Sequence, residues 1–315
     1  MRHIRIKESY PISRRDWLKE VSLLGAAAAA LRSSSQLLAG GLPPGQLPKI
    51  KLGKLEVSRL ILGSNPFFGW AHGNPQGSDI EMRAYYTDAQ VMSVLDAAAE
   101  QGITAVWTPC YPPWIRLWNE YQGKGGKLKI WIGQPDAYSH GEAVPDPNPN
   151  IPKKMKEHII AAAQNGAKAI CIQGVQVDAQ FKAGRIDVVR DWLELIKSFG
   201  LPAGIATHRA STHLMAEKEG LPTDFYHQTL YRPDNYIPAG LEESLATIEK
   251  LDKPVVAYKV LGAGRILPKD TFPYVFRRLR PKDGICVGVF PRSKDQLAEN
   301  AGLTRQLSGV GTASG

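Results

Sequence analysis

From residue 50 onward, short apolar runs rich in β-branched residues alternate with longer segments whose apolar positions recur at helical spacing. The runs at Leu60–Gly63, Ile103–Thr108, Lys129–Gly133, Ala167–Gln173, Ala203–Thr207, Phe225–Leu230, Val255–Val260 and Gly284–Val289 read as strands. Between them the spacing predicts helices over Asp88–Gln101, Trp114–Gln122, Pro152–Asn165, Asp187–Phe199, Ser211–Glu219, Leu241–Leu251 and Thr271–Leu279, with Ser293–Thr304 closing the series. Thr87-x-x-Gln90 has the spacing of a capping box, and Gly102, Gly166, Gly200 and Gly220 stand where a helix must turn into the next strand. Eight such units in sequence predict an α/β chain folded as a closed (β/α)8 TIM barrel. A doubly wound open sheet seldom needs eight strands, and no G-x-G-x-x-G follows the first one. Lys49–Ser58 reads as a hairpin that could plug the N-terminal end of the barrel.

The pattern divides the chain into residues 1–48, a barrel domain over 49–305 and a tail at 306–315. Ser13-Arg14-Arg15-Asp16-Trp17-Leu18-Lys19 has the twin arginine, the large apolar pair and the lysine of a Tat signal. Val21–Leu31 supplies a short alanine-rich apolar stretch, too short to span a bilayer. The first 48 residues are therefore expected to be a signal peptide and linker, cleaved near Ala39-Gly40 or kept as an anchor. The expected partner is the Tat translocation machinery, the expected location periplasmic or otherwise exported, and contact with the membrane is expected only through the signal segment. Tat substrates cross already folded, so a cofactor could be loaded before export.

Charge changes this picture little. Of the formal +9, residues 1–45 hold +4, and the remaining +5 forms no run of Lys or Arg. A nucleic-acid partner is not expected, whereas an anionic small ligand fits. The cysteines Cys110, Cys171 and Cys286 form no C-x-x-C pair and imply no disulfide framework. Cys171 and Cys286 lie in apolar runs, and Cys110 lies just beyond one, which leaves it open as a site residue.

In a barrel of this kind the chemistry sits in the loops after the strands. Four of these are long: Asn65–Tyr86, which is aromatic, Pro135–Asn150, Gly174–Arg185 and Tyr231–Gly240. Lys259 is the most unusual strand-end residue, an ammonium in the apolar run Val-Val-Ala-Tyr-Lys-Val-Leu. Strand alternation would place it with Ala257 and Leu261, opposite Tyr258. It reads as a catalytic or anion-holding lysine, or as one half of a structural pair with Asp136. His208 follows the fifth strand directly and is a candidate acid or base, which His213 could join from the next helix. Tyr111 is the third catalytic candidate. Asn65, Trp70, Gln134, Asp136 and Gln173 are candidate substrate-binding residues, with Phe67, Phe68 and Trp114 available to stack on a sugar ring. No spacing of His or carboxylates makes a metal site, so none is expected. Gly262-Ala263-Gly264-Arg265 and Arg292-Ser293 with Gln296 and Asn300 read as an anion- and cofactor-binding end, because a helix N-terminus beside Arg and Ser favours a phosphate. Alternatively, Ser293 merely caps the last helix.

At these residues the sequence resembles the aldo-keto reductases. Leu52-Gly53-x-x-x-Val57-Ser58-x-Leu60-x-Leu62-Gly63 resembles their N-terminal hairpin and first strand. Arg292-Ser293-x-x-Gln296-x-x-Glu299-Asn300 is similar to the stretch with which short members hold the 2′-phosphate and adenine of NADP. The resemblance implies carbonyl reduction with NADP. The chain departs from the family at its proton relay. The aspartate, tyrosine, lysine and histidine of the relay fall at Trp107, at Pro112 with Tyr111 one position short, near Gln134 and near Gln173.

Three functions follow from these residues. The first is an exported reductase-like enzyme that keeps an NADP site and uses a displaced proton donor, Tyr111 or His208, on a small carbonyl or sugar-like substrate. The second is a cofactor-free sugar lyase, isomerase or epimerase with Lys259 and His208 as its acid–base pair. The third is a binding protein without turnover.

Overall fold

The computed structural model describes residues 45–136, 151–230 and 240–308. All of them belong to one compact unit, Leu42–Gly315. The twin-arginine segment and most of the loops 135–150 and 231–240 lie outside the described residues. Among the described residues no helix is long and apolar enough to cross a membrane.

The chain enters through a hairpin, β1 (Lys49–Leu52) paired antiparallel with β2 (Leu55–Ser58) around Gly53. The barrel follows: β3 (Leu60–Gly63), β4 (Ala105–Pro109), β5 (Ile130–Gln134), β6 (Ala169–Ile172), β7 (Ala203–Thr207), β8 (Phe225–Thr229), β9 (Val255–Tyr258) and β10 (Gly284–Gly288). Each pairs parallel with its sequence neighbours, and β10 closes on β3 with Ile285 beside Leu60. The predicted closed barrel is therefore the observed fold. Its lumen is filled by Ile61, Ala105, Trp107, Ile132, Phe225, Val256 and Tyr258. Ile50, Leu52 and Val57 of the hairpin join the same core, each burial contributing roughly 1.5–3 kcal/mol. The hairpin thus plugs one end, and any site must open at the other.

Ten helices are seen among the described residues: α1 (Asp79–Tyr85), α2 (Asp88–Glu100), α3 (Pro112–Gly123), α4 (Ile151–Gln164), α5 (Gly174–Lys182), α6 (Ile186–Ser198), α7 (Ala210–Lys218), α8 (Leu241–Lys250), α9 (Pro268–Arg278) and α10 (Gln296–Ser308). The four helix-to-strand glycines are left-handed as expected. Gly102 has φ 86°, and an added Cβ would meet the Gly45 carbonyl oxygen at 2.6 Å.

Two helices lie where the sequence pattern predicts loops. For α1 the signal is local, since Ser78 and Glu81 form a full capping box, each side chain accepting from the other's backbone N–H. At Thr87 only half of the expected box forms, because the Gln90 amide donates to Tyr85 instead. In α5 the buried residues are only Gly174, Gln176 and Val177, so it has almost no apolar period to read.

The last helix also starts later than predicted. Pro291 cannot donate, and the Phe290 N–H donates to the side-chain oxygen of Gln296 at 2.7 Å, which folds 290–295 into a turn. Asp295 rather than Ser293 accepts from a first-turn N–H, that of Ala298 at 3.0 Å.

Candidate active site at the mouth of the barrel

A cavity of about 370 Å³ opens at the C-terminal ends of the strands. Its inner part is walled by Asn65, Trp70, Trp107, Gln134, Tyr258 and Lys259. It runs outward past Gly264 and Leu267 to Ser293, Lys294, Gln296 and Asn300 at the start of α10. Among the described residues, three that are not glycine have left-handed φ: His72 (52°), Lys259 (58°) and Ala263 (55°). All three line this cavity. Strained backbone of that kind costs on the order of 1–3 kcal/mol per residue and clusters where a site needs it.

Lys259 is not inside a strand as the sequence pattern predicts. β9 ends at Tyr258, and the left-handed turn at Lys259 breaks the alternation, so both residues line the cavity instead of facing opposite ways. The Tyr258 hydroxyl donates to the Thr207 carbonyl at 3.0 Å and ties β9 to the end of β7. Burial pushes the Lys259 ammonium down to about 8, because the charged form loses its water.

His72, which has no periodic context in the sequence, stands in the same cavity. Its Nε2 faces the Asn65 amide nitrogen at 3.0 Å, so it accepts there and the ring is neutral. Burial first, then the charge of Lys259, hold its pKa down to about 4. The His-Gly-Asn turn in the aromatic loop was its only signal in the sequence.

His208 lies one step back, against the ring of Tyr258 with centroids 6.0 Å apart. Asp178 of α5 orients it, accepting from its backbone N–H at 2.9 Å and facing its Nδ1 at 3.1 Å. The Thr207 hydroxyl donates to the other carboxylate oxygen. Gly174 makes room for this arrangement, since a Cβ there would lie 3.1 Å from His208 and 3.2 Å from the Tyr258 hydroxyl.

His213 does not join this group. It is fully buried, with its Nε2 bonded to the His227 carbonyl at 3.1 Å and its ring over Tyr226. His227 lies in the lumen, its ring centroid 4.2 Å from that of Trp107.

Tyr111 is buried, and its hydroxyl donates to Asp136 at 2.8 Å. Its ring edge supports Phe68 and Trp70, so the Tyr111–Asp136 pair stands behind the aromatic wall. Asp136 is also 3.7 Å from His158. Cys110 is buried beside them, and burial followed by the Asp136 charge pushes its thiol well up. Gln173 precedes α5, its N–H donating to the Pro135 carbonyl, and its buried side-chain oxygen has no hydrogen-bond partner. Trp114 is buried against Trp118 and Trp131, and Phe67 against Tyr86, so neither offers a free face to a sugar. Trp70, stacked on Phe68, does line the cavity.

The loop after β9 clasps the loop after β3. Arg265 donates to the carbonyls of Gly262 at 3.1 Å and His72 at 3.0 Å. Gly264 lies against Asn74, and Gln76 donates to its carbonyl at 3.3 Å. At the outer end Arg292 pairs with Glu81 at 3.0 Å, and Lys294 with Glu299 at 2.5 Å. Gln296 bridges to Gln76 at 2.8 Å. Asn300 is buried, with no hydrogen-bond partner for its side-chain oxygen. Arg292 and Ser293 precede the helix, so only Gln296 and Asn300, four residues apart, share a helical face.

These features define an α/β barrel closed by an N-terminal hairpin, with its cavity between the first and last βα loops. The fold is aldo-keto-reductase-like. An inferred aldo-keto reductase of Pseudomonas aeruginosa superposes with a TM-score of 0.57 at 17% identity, covering 86% of this chain and 99% of that one. An aldo-keto reductase of Bacillus halodurans, solved in its holo form, gives 0.53 at 15% identity over 84% and 95%. No protein-family model and no curated protein sequence matches the chain.

Proposed function

We propose that this chain is an oxidoreductase-like enzyme that holds NADP along the outer arm of the cavity and acts on a small carbonyl or sugar-like compound at the inner end. The observation that carries this reading is the continuity of one cavity from Lys259 and Gln134 to Ser293, Gln296 and Asn300. The residues there suit a nucleotide. The partnerless oxygen of buried Asn300 needs a donor such as an exocyclic amine. Arg292 and Ser293, just before α10, would hold the 2′-phosphate, and the Arg292–Glu81 pair is exposed enough to exchange partners. A bound reduced nicotinamide would supply the hydride.

The chain's own residues do the rest. Trp70 and Trp107 keep water from the inner end, while Asn65 and Gln134 orient hydroxyl or carbonyl groups. The Lys259 ammonium stabilises charge on the carbonyl oxygen and gives it a proton from Nζ, a role suited to a pKa near the working pH. His208, held by Asp178, can restore that proton. Tyr111 is not assigned the donor role, because its hydroxyl already donates to Asp136.

Titration of NADP and NAD into the nucleotide-free protein tests the reading. Arg292→Ala should weaken NADP on the order of 5- to 30-fold, the equivalent of about 1–2 kcal/mol for one exposed charge-assisted contact. NAD should change by less than about twofold, having no phosphate at that position. If neither nucleotide binds the wild type at millimolar concentration, the reading fails. The cofactor-free sugar lyase, isomerase or epimerase then takes its place, favoured by Trp107, Pro112, Gln134 and Gln173 standing where the resemblance expects a proton relay. Export through the Tat pathway is part of the same proposal and rests on Arg14 and Arg15.

A further inference from the structure

We infer that Lys259 is a nucleophile that forms an imine with a small hydroxylated aldehyde or ketone bound at the inner end of the cavity. Three features carry this inference. The residue is the first after β9, and its left-handed backbone (φ 58°) turns it into the cavity together with Tyr258. Any non-glycine residue there pays the strain, so a lysine is held where an unstrained strand would have aimed it elsewhere. Its surroundings have the right chemistry for a polyhydroxylated carbonyl compound: Asn65, Ser64 and Gln134 supply hydrogen bonds, and Trp70 and Trp107 supply apolar faces.

A useful share of the amine is also neutral. With a pKa of about 8, roughly half of it is neutral at pH 8, against well under about 1% for a lysine at the usual value. A second lysine of the cavity serves as its internal comparison. Lys294 is exposed and ion-paired to Glu299 at 2.5 Å. It lines the outer arm of the same cavity but is not buried.

In the step itself, the neutral Nζ attacks the carbonyl carbon and the carbonyl electron pair moves to oxygen. The resulting carbinolamine loses that oxygen as water, which carries away the two protons of the amine and leaves the C=N bond. No oxidant or reductant is consumed. The imine draws electrons from the carbon next to it, which is the activation that a lyase or isomerase acting beside a carbonyl requires. The inference concerns the same inner site as the proposed function, does not depend on a nucleotide, and gives Lys259 a covalent role in place of proton donation to the carbonyl oxygen.

The test is reductive trapping. The full chain is incubated with dihydroxyacetone or glycolaldehyde and sodium cyanoborohydride, without nucleotide, and the adducts are mapped by peptide mass spectrometry at several pH values. Lys259 should be labelled at least on the order of tenfold faster than Lys294 at pH 8, with a midpoint near 8 in its pH dependence. Lys259→Met, which keeps the length and loses the amine, should abolish the fast adduct while circular dichroism and surface labelling stay as in the wild type. Labelling of Lys259 no faster than Lys294 in the wild type overturns the inference, whatever the variant does. Nucleotide binding measured on the same preparation separates the two readings. Binding without trapping removes only the imine, and trapping without binding removes only the reductase.

Discussion

Replacing His227 by Phe should remove about one proton's worth of acid sensitivity from the barrel. His227 is fully buried between Trp107 and Phe225, with neither ring nitrogen hydrogen-bonded. Burial, reinforced by neighbouring His213, pushes its pKa down to about 3, and burial does the same to His213. In the unfolded chain both return to the ordinary 6.5. As pH falls below that value the unfolded state takes up protons that the folded state refuses. Stability is therefore complete above about pH 6.5 and lost progressively down to about pH 3. Integrated from pH 7 to pH 5, each histidine costs about 2 kcal/mol and the pair about 4 kcal/mol. That is a large part of the ~5–15 kcal/mol that holds a typical domain. Phenylalanine preserves the edge contact to Trp107 and has no nitrogen to satisfy, so stability at pH 7 should be equal or higher. Urea unfolding followed by tryptophan fluorescence at pH 7, 6 and 5 measures this directly. The variant should lose about 2 kcal/mol less than the wild type over that range. Parallel losses in the two proteins would refute the reasoning, because they would mean that His227 does not change its protonation on unfolding.

Two further outcomes test the arrangement around the cavity and the address of the chain. Asp178→Asn should alter the His208 tautomer balance seen in nitrogen-detected NMR, since the carboxylate facing Nδ1 is lost; unchanged resonances would show that Asp178 does not position it. Arg14→Lys combined with Arg15→Lys should leave the precursor in the cytoplasm of an expressing cell, and normal export of that variant would exclude a Tat address.

The barrel was legible because each of its strands is buried on both faces, so a run of apolar residues marks it without any partner being known. Of the stretch Arg292-Ser293 with Gln296 and Asn300, the structure places Ser293, Gln296 and Asn300 along the cavity, whereas Arg292 pairs with Glu81. What the pattern could not supply was the exact end of β9. The alternation rule holds only while φ stays extended, and a single left-handed residue at Lys259 reversed the face it had been assigned. His72 and Asp178 escaped for a related reason. One sits in an irregular loop and the other on a helix with little apolar period, so neither has a periodic context that announces it.

By itself, then, the sequence determined the number of βα units, the hairpin that plugs them and the end of the barrel at which polar residues collect, since these follow from local propensity and the period of burial. Only the tertiary structure decided which of those polar residues share a cavity. Tyr111 and Asp136 spend their groups on each other, His213 is taken up by a backbone carbonyl, and Arg265 holds a neighbouring loop. Lys259, His72 and Gln134 come together from the turn after β9, the first loop and β5. A side chain's role depends on the hydrogen-bond partners and the water it is left with, and those are contributed by strands far apart in the chain.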